Sequence, residues 1–574
     1  MEKTARSLGR VAFLIVLISQ FASAGTSLWT YKSGSELKWH KLTSLGYLVA
    51  GGDEGLVCLD PDKGTVIWKR DDLKGITAYQ AVEADGTPYL IISKNNWPSS
   101  TKVWGISELD GKDLWTTEKL KGATIGVYSN AEKDMVLILS SGSEGQSKVN
   151  PQMLAVQLSD GKTLWEGKYP EKVDLHQAEQ KSRWSPHFDL NGHQPPVFDG
   201  DAIYFTFAGL HKFEAATGKV LWSVPYDVTE GRLRRGNAQL VIDGDMVYTS
   251  AKGQLRAIDK NTGQVKWTSP DFGAAVAEMQ VRGDVLYGRM GGTFFDDKKM
   301  AYDLKKPLGV VGVNKATGAA MWKYDKMSDA ITNMAILENQ KALLVADKDE
   351  LIGLNLDGGG EQFKVKVEFK NHTSGGQKAM KVARFGMGGL KGGLKGMSDD
   401  KKRQDVPINV VALPTGSVVI RGRQNIVGFN PGQKQISYAS VYDPPGFSGW
   451  QTFAMVSVYA MSYAGNTMGA ANTQFGSSSN NSYNNMRQSN LAGMSDALNK
   501  RFSATQSGKR RTYILTELEE GKEKGAGLIA INMSSGEEEG QILLRDKEPD
   551  YVVDDLTGHL YNLKDNTIQA YSIE

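Results

Sequence analysis

Apolar and polar positions alternate in short runs along most of the chain, and glycine, aspartate and asparagine separate the runs. The pattern is clearest at residues 257–267, AIDKNTGQVKW, where two short strands flank a polar turn. Leu255 and Ala257 are predicted to share one face of the first strand. Val265 and Trp267 are predicted to share one face of the second, because side chains two apart in a strand point the same way. Glycine supplies the turn, since it takes positive φ without steric cost.

The same phrase recurs with its glycine four residues before its tryptophan. The copies are Gly64/Trp68, Gly111/Trp115, Gly161/Trp165, Gly218/Trp222, Gly263/Trp267 and Gly318/Trp322. Before several of them an Asp-Gly pair leads into another apolar run, as at 199–204 and 243–248, which is a hairpin signal. Each unit therefore holds about four strands, as a propeller blade does. One blade cannot bury its own tryptophan, so the units are predicted to stack with the six tryptophans between them.

Units later in the chain depart from this pattern. Phe363 and Tyr438 stand near the tryptophan position, and residues 528–536 keep only the turn. The chain also carries a tryptophan strand at 27–32 with no turn before it, and a hairpin at 558–573 with no tryptophan strand after it. Because these two ends are complementary, the first strand is predicted to complete the last blade and close the ring. Counted with this split blade, the hairpins give ten units.

The phrase Ala-x-Asp-x-x-Thr-Gly-x-x-x-Trp at 257–267 resembles the tryptophan-docking motif of pyrroloquinoline-quinone (PQQ) repeat propellers. That family includes quinoprotein alcohol dehydrogenases and a non-enzymatic branch similar to the outer-membrane assembly protein BamB. The resemblance covers nearly all of residues 25–574 and implies an all-β, closed β-propeller of four-stranded blades. It also implies that the six tryptophans pack between neighbouring blades. Eight blades are usual in the family, so the expected count lies between eight and ten.

Residues 1–24 have the features of an export signal. Basic residues precede a short apolar run, and Ala22-Ser23-Ala24 forms an A-x-A cleavage site before Gly25. The apolar run is too short to span a bilayer comfortably, although an uncleaved anchor is the alternative. We therefore expect residues 25–574 to be exported, with the bacterial periplasm as the simplest destination.

Overall charge and cysteine content exclude some classes of function. The formal net charge of the 574 residues is +2, whereas a nucleic-acid binder would usually be more basic. We therefore expect no nucleic-acid partner. The one cysteine, Cys58, cannot form an internal disulfide and is predicted to be a small buried apolar residue.

Two stretches interrupt the repeat and are predicted to be inserted loops. The first, 371–405, is rich in glycine, leucine and lysine and lacks the order of a phosphate-binding loop. It is interpreted as a surface loop, and peripheral membrane contact is the alternative. The second, 444–508, begins with an aromatic group that includes Phe447, Trp450 and Tyr459, then becomes rich in serine and asparagine. These three aromatic residues are candidate partner-binding residues, and a loop that covers one end of the propeller is the competing interpretation.

The sequence shows no recognisable catalytic set. Quinoprotein dehydrogenases commonly place an adjacent cysteine pair against the quinone and hold Ca²⁺ with acidic and amide side chains, and this chain has no cysteine pair. Calcium needs six to eight oxygen ligands, and no spacing here marks such a set. His176, His187 and His193 fall in one stretch, but their spacing matches no short metal motif. We predict no catalytic residues and no metal site, and the sequence nominates no residues for a cofactor; PQQ and calcium belong only to the dehydrogenase alternative.

The favoured interpretation is an exported, non-catalytic propeller that acts as a protein-interaction scaffold for an envelope partner, with outer-membrane protein assembly as its setting. The alternative is a PQQ-dependent dehydrogenase with a divergent active site, which would require PQQ and calcium.

Overall fold

Tight turns and alternating apolar runs produce a structure made almost wholly of strands. The computed structural model describes residues 25–573, apart from 85–86, 97–99, 143–147, 180–186, 191–193, 232, 234–235, 297–300, 368, 370–404, 423, 443–509, 521–522 and 547–548. Two single-turn 3-10 helices, Ala78–Gln80 and Glu338–Gln340, are the helices among these residues. The predicted signal 1–24 and most of both predicted insertions lie outside the described residues.

The strands are numbered in chain order and grouped into antiparallel sheets. Blades 1 to 3 contain β2 (Leu37–Leu42), β3 (Leu48–Gly52), β4 (Gly55–Leu59) and β5 (Val66–Arg70); β6 (Ala81–Ala84), β7 (Tyr89–Asn96), β8 (Ser100–Ser107) and β9 (Asp113–Lys121); and β10 (Thr124–Asn130), β11 (Met135–Ser140), β13 (Gln152–Gln157) and β14 (Thr163–Lys168). A separate small sheet contains β12 (Lys148–Val149), β15 (Val173–Glu179) and β16 (His187–Leu190).

Blades 4 to 7 follow the same order. They contain β17 (Val197–Asp199), β18 (Ala202–Phe205), β19 (Gly209–Glu214) and β20 (Val220–Pro225); β21 (Val241–Asp243), β22 (Met246–Ala251), β23 (Gln254–Asp259) and β24 (Val265–Thr268); β25 (Val276–Arg282), β26 (Val285–Asp296), β27 (Ala301–Asn314) and β28 (Ala320–Met327); and β29 (Ala335–Leu337), β30 (Ala342–Ala346), β31 (Glu350–Asn355) and β32 (Glu361–Lys366).

Blades 8 to 10 complete the ring. They contain β33 (Asn409–Ala412), β34 (Val418–Arg421), β35 (Asn425–Asn430) and β36 (Gln435–Val441); β37 (Arg511–Glu520), β38 (Glu523–Asn532) and β39 (Glu538–Leu543); and β40 (Asp550–Asp554), β41 (His559–Lys564) and β42 (Thr567–Ser572) with β1 (Thr26–Lys32). The all-β propeller is confirmed, and ten blades rather than eight form it. Within the described residues blade 9 has three strands, the second to fourth of its blade.

Apolar side chains between the blades hold the ring together. Ten separate apolar clusters fill the ten contacts between neighbouring blades. The cluster that joins blade 10 to blade 1 brings Leu48 and Ile568 together, and both side chains are inaccessible to solvent. Since every blade is packed on both sides, the core is a continuous annulus rather than a single centre.

Ring closure follows the predicted route. β1 pairs antiparallel with β42, from Thr26↔Ser572 to Lys32↔Thr567, and thereby supplies the fourth strand of blade 10. The indole Nε1 of Trp29 in this strand donates a hydrogen bond of 2.9 Å to the carbonyl of Pro61 in blade 1. The first strand therefore completes one blade and docks it onto the next.

A β-bulge recurs at one position in the blades and corrects a sequence-based expectation. The pairing of the third and fourth strands shifts directly before the docking position. In blade 5, Trp267 pairs with Ala257 and Val265 pairs with Ile258, so one residue between them is extra. The prediction that Val265 and Trp267 share a face was wrong, because the bulge turns Val265 outward to 46% exposure while Trp267 is 8% exposed.

Each tryptophan reaches the third-to-fourth turn of the following blade. The indoles of Trp68, Trp115, Trp165, Trp222 and Trp267 donate to backbone carbonyls of Glu108, Leu158, Ala215, Lys260 and Lys315 at 2.7–3.1 Å. The glycine of the same turn lies against the ring; a Cβ on Gly318 would stand 2.5 Å from Trp267. Trp322 lies under Gly359 in the same way, although its Nε1 makes no hydrogen bond among the described residues.

Other residues occupy the docking position in the later blades. Tyr438 replaces tryptophan in blade 8, where its hydroxyl donates to the carbonyl of Met533 at 2.6 Å and its ring lies under Gly536. Gly540 occupies the position in blade 9 and lets the backbone approach Ile573, whose carbonyl oxygen would stand 2.0 Å from a Cβ there. The seams between blades 8 and 9 and between blades 9 and 10 are therefore formed without tryptophan.

Removing the Tyr438 hydroxyl should weaken the seam between blades 8 and 9. Tyr438→Phe keeps the ring but leaves the Met533 carbonyl without this donor, so we expect the free energy of unfolding to fall by about 1 kcal/mol. Denaturant-induced unfolding followed by tryptophan fluorescence measures the change. Tyr571→Phe is the matched control, because the Tyr571 hydroxyl makes no hydrogen bond within the described part of the chain; equal effects of the two substitutions would contradict the assignment.

Candidate functional site

The two faces of the ring carry different kinds of connection. In a four-stranded antiparallel blade, the first-to-second and third-to-fourth turns lie at one face, here called the turn face. The second-to-third turn and the connection to the next blade lie at the opposite face, here called the loop face. Turns at the turn face are short among the described residues, as at 43–47 and 60–65 in blade 1. The longer segments all leave the ring at the loop face.

Several elements project at the loop face. Three hairpins, β7–β8, β26–β27 and β37–β38, extend the second and third strands of their blades; the longest runs from Val285↔Asn314 to Asp296↔Ala301. The small sheet of β12, β15 and β16 comes from the second-to-third connection of blade 3 and its link to blade 4. The segment 371–405 connects β32 to β33, and the segment 444–508 follows β36, so both start from this face.

Ion pairs within the β26–β27 hairpin and a backbone bridge to the neighbouring connection hold the hairpin in place. The ammonium of Lys305 lies 2.7 Å from a carboxylate oxygen of Asp303 and 3.3 Å from one of Asp296. The hydrogen bond to Asp303 is the main reason why the pKa of Lys305 is raised. The backbone of Asp296 also forms a bridge with Leu233 in the connection between blades 4 and 5. The hairpin is therefore a braced projection.

An ion pair and several hydrogen bonds connect the inner strands of neighbouring blades near the loop face. Arg289 and Glu278 form an ion pair at 3.1 Å in blade 6, and the same carboxylate accepts the backbone N–H of Met334 at the start of blade 7. Asn333 exchanges two hydrogen bonds of 2.9 Å with the backbone of Val410 in blade 8. These groups hold neighbouring blades in register, and their hydrogen-bonding capacity is used within the fold.

A cleft of about 250 Å³ opens on the loop face beside blade 7. It is lined by Ser328, Asp329, Asp347, Lys348, Asp349, Glu350 and Lys366. Asp347 accepts backbone N–H groups of Ser328 at 2.8 Å and Ala330 at 3.0 Å, so its carboxylate serves to cap the connection between blades 6 and 7. Lys364 pairs with Glu350 at 2.9 Å, which raises the pKa of Lys364. The cleft is acidic. The Ser328 hydroxyl lies 3.5 Å from a carboxylate oxygen of Asp347, but that carboxylate already accepts the backbone N–H groups that cap the connection.

The predicted site residues separate into two groups. The six tryptophans lie at seams between blades, where Trp68, Trp115, Trp165 and Trp267 are buried and Trp222 and Trp322 are half-buried. Phe447, Trp450 and Tyr459 lie outside the described residues, as do His193 and the side chains of His176 and His187. The asymmetry between the faces was not recognised in the sequence, although unequal spacing between successive Thr-Gly turns and hairpin signals could have indicated it.

A PQQ and calcium site of the dehydrogenase kind would use a cysteine pair and several oxygen ligands for Ca²⁺. Cys58 is the one cysteine of the chain, so an adjacent pair does not exist. It is buried, and burial raises the pKa of its thiol. Within the described ranges, no three or more His, Cys, Asp or Glu side chains are placed together to hold a metal ion. The donor set of the described residues does not fit the quinone site expected of a dehydrogenase. In the same part of the chain, no helix has the length and apolar character needed to cross a membrane.

A ring of antiparallel blades, most of which dock on the next blade through an aromatic side chain at one recurring position, defines a β-propeller of the PQQ-repeat class. The sequence model of the family described as "Outer membrane protein assembly factor BamB" matches residues 17–182 and 171–349, together more than half of the chain. The chain belongs to this family. No curated protein matches the sequence.

Solved structures similar to this chain include both kinds of family member. BamB from Moraxella catarrhalis is 12% identical with a TM-score of 0.34, and the match covers 71% of this chain and 97% of that one. A europium-containing methanol dehydrogenase is 10% identical with a TM-score of 0.35, covering 70% and 84%. The quinohemoprotein alcohol dehydrogenase ADHIIG from Pseudomonas putida HK5 is 10% identical with a TM-score of 0.32, covering 70% and 72%. Likeness at this level does not discriminate between assembly factor and enzyme.

Proposed function

We propose that this protein is an exported, non-catalytic scaffold that binds protein partners of the cell envelope in outer-membrane protein assembly, with the periplasm as its location. The observation that supports the proposal most is that the extended hairpins and the small additional sheet, among the described residues, lie on one face of the ring. Recognition residues are commonly placed on loops held by a rigid frame. The family assignment supports the same setting.

The ring is suited to presenting loops without changing shape. Ten apolar seams and a docking contact between blades resist relative movement of neighbouring sheets. The polar groups described at the loop face, such as Glu278, Arg289 and Asp347, are engaged in contacts between blades. A rigid platform with braced hairpins favours binding over turnover, and the proposal needs neither PQQ nor calcium.

The binding residues that we propose are Phe447, Trp450 and Tyr459. They belong to the segment that follows β36 at the loop face. Aromatic side chains are the residue types most often found at the centre of protein interfaces, where loss of one typically lowers affinity by about 2 kcal/mol or more. Their concentration in an inserted segment makes them the strongest anchors that the chain offers.

Changing these three aromatic residues together to serine tests the proposal. The triple variant should lose capture of outer-membrane proteins and their assembly partners when tagged protein is cross-linked in the envelope fraction and the products are identified by mass spectrometry. Val66, Leu221 and Met321 provide the matched control, because they are exposed apolar residues on the outer strands, 46–48% accessible, away from the loop face. Their change to serine should leave capture intact.

Two results would contradict the proposal. Unchanged capture by a folded triple variant would exclude the aromatic segment, and capture lost equally in both variants would show that binding does not depend on the loop face. Recruitment to lipid vesicles without any protein partner would instead favour membrane contact. If the purified protein takes up PQQ with Ca²⁺ and reduces a dye in the presence of an alcohol, the dehydrogenase alternative replaces the scaffold.

A further inference from the structure

A second polar feature lies at the turn face, at the seam between blades 1 and 2. It involves the residue whose carbonyl accepts the docking indole of the previous blade. In blades 5 and 6 that residue is lysine, and its ammonium reaches back to the inner strand of the previous blade. Lys260 pairs with Asp199 at 3.0 Å, and Lys315 pairs with Asp243 at 2.9 Å. An ion pair between the lysine of one blade and the aspartate of the previous blade thus joins the blades at these two seams.

In blade 2 the same position holds a carboxylate instead. Glu108 accepts the Trp68 indole through its backbone carbonyl, as Lys260 accepts that of Trp222. Its side chain is 0% exposed, and neither carboxylate oxygen makes a hydrogen bond of ordinary geometry. The hydroxyl of Thr43, in the first-to-second turn of blade 1, lies close enough to favour the charged form. A buried carboxylate left in this state is unfavourable unless it is neutralised.

A second carboxylate makes the seam more acidic. Glu83 lies on the inner strand of blade 2, where it accepts the backbone N–H of Ser44 at 3.0 Å and the Ser44 hydroxyl. Burial is the main reason why the pKa of Glu108 is well above its usual range, and the charge of Glu83 adds to it. Tyr47, Cys58 and Asp60 also face the seam, and none of them carries positive charge.

The Lys41 ammonium, on which the charge of Glu83 acts, is bound by backbone carbonyls instead. Lys41 donates to the carbonyls of Ala78, at 3.1 Å, and Ala81, and lies over the ring of Trp39. Burial lowers the pKa of Lys41 to about 8, with Glu83 opposing the shift. The seams between blades 4 and 5 and between blades 5 and 6 each contain a lysine ammonium at this position. The seam between blades 1 and 2 contains the carboxylate oxygen atoms of Glu108 there instead.

We infer that the seam between blades 1 and 2 binds a hard divalent cation, with Glu108, Glu83 and the Thr43 hydroxyl as protein ligands. Carboxylate and hydroxyl oxygens are the ligands that such cations prefer, and water or backbone carbonyls complete their coordination. The bound cation takes the place that the lysine ammonium has in blades 5 and 6 and stabilises the contact between two blades. This site lies on the face opposite the proposed partner surface and does not depend on it.

Calcium binding to the full-length protein tests the inference. After treatment with EDTA, CaCl₂ at constant ionic strength should raise Tm, and titration calorimetry should give one site per chain. Glu108→Gln should lose that site, whereas Glu36→Gln, at an exposed carboxylate of blade 1, should keep it. Because Ca²⁺ displaces the proton of a group whose pKa is raised, affinity should increase as pH rises.

A lysine at the same position gives an independent check. Glu108→Lys introduces, opposite Glu83, the residue type that occupies this position in blades 5 and 6. The variant should therefore fold, and its Tm should no longer respond to Ca²⁺. Glu108→Leu, which copies Leu158 in blade 3, should also lose the response. No calcium site in the wild-type protein, with no change of Tm in CaCl₂ or MgCl₂, would overturn the inference and identify Glu108 as a neutral buried acid. A calcium response that persists in Glu108→Gln would overturn it as well.

Discussion

Replacing Trp267 with alanine is expected to lower the free energy of unfolding by roughly 3–5 kcal/mol, as large-to-small aromatic substitutions in cores do. The indole is 8% exposed and belongs to the apolar cluster between blades 5 and 6. Its Nε1 donates to the Lys315 carbonyl at 3.0 Å, so the substitution leaves a cavity and removes the shorter of two hydrogen bonds to that carbonyl. Denaturant-induced unfolding followed by far-UV circular dichroism measures the loss.

Two glycines provide the control for this docking contact. Gly318 and Gly283 both have positive φ, +74° and +54°, so alanine strains the backbone at each. A Cβ at Gly318 would also stand 2.5 Å from the Trp267 ring, whereas nothing lies within 4 Å of one at Gly283. Gly318→Ala should therefore destabilise the protein much more than Gly283→Ala, and the excess should shrink when Trp267 is alanine. Equal effects in both backgrounds would show that the ring and the turn are not coupled.

Deleting Thr26–Lys32 is expected to have the second large effect, because it opens the ring. The deletion removes the partner of β42 and the Trp29 indole that docks on blade 1. The exposed edge of β42 would then be available to pair with another chain, so we expect aggregation or loss of the folded state. Light scattering and thermal unfolding of the truncated protein measure the two outcomes.

A single substitution distinguishes the effect of the β1–β42 strand pairing from the effect of the Trp29 contact with blade 1. Trp29→Ala keeps the backbone pairing of β1 and removes the contacts of the indole with Pro61, Gly64 and Tyr561, so it should lower Tm without causing aggregation. A protein that starts at residue 25 is the reference. If the protein lacking Thr26–Lys32 stays monomeric with the stability of that reference, β1 does not close the ring.

Much of the fold could be predicted because the repeat is local in sequence. The four-residue spacing from glycine to tryptophan places both groups of a docking contact in neighbouring units, and the strand at 27–32 without a turn indicated closure. Even Tyr438, in a unit that lost its tryptophan, keeps the same hydrogen bond to the next blade. Ten units follow from counting hairpins, since each hairpin has its own apolar alternation.

Features that depend on register or on neighbouring blades could not be predicted. The recurring bulge reverses the side to which Val265 points, and alternation alone assigns it to the face of Trp267. Glu108 resembles any polar residue before an Asp-Gly turn; its burial appears only when the first turn of blade 1 packs against it. The loop face likewise emerges from the order of strands within blades, which a count of apolar runs does not specify.

The closing strand has a consequence for how the protein reaches its folded state. Asn566 binds the backbone of Ser33 across 533 residues of sequence, and β1 pairs with the last strand of the chain. A chain synthesised or exported from its amino terminus therefore delivers one half of this contact first and the other half last. Until then β1 is an unpaired strand, and contacts of such long sequence separation form slowly. Synthesis of this ring therefore includes a period in which the edge of β1 must be protected from pairing with other chains, by a chaperone or by rapid folding.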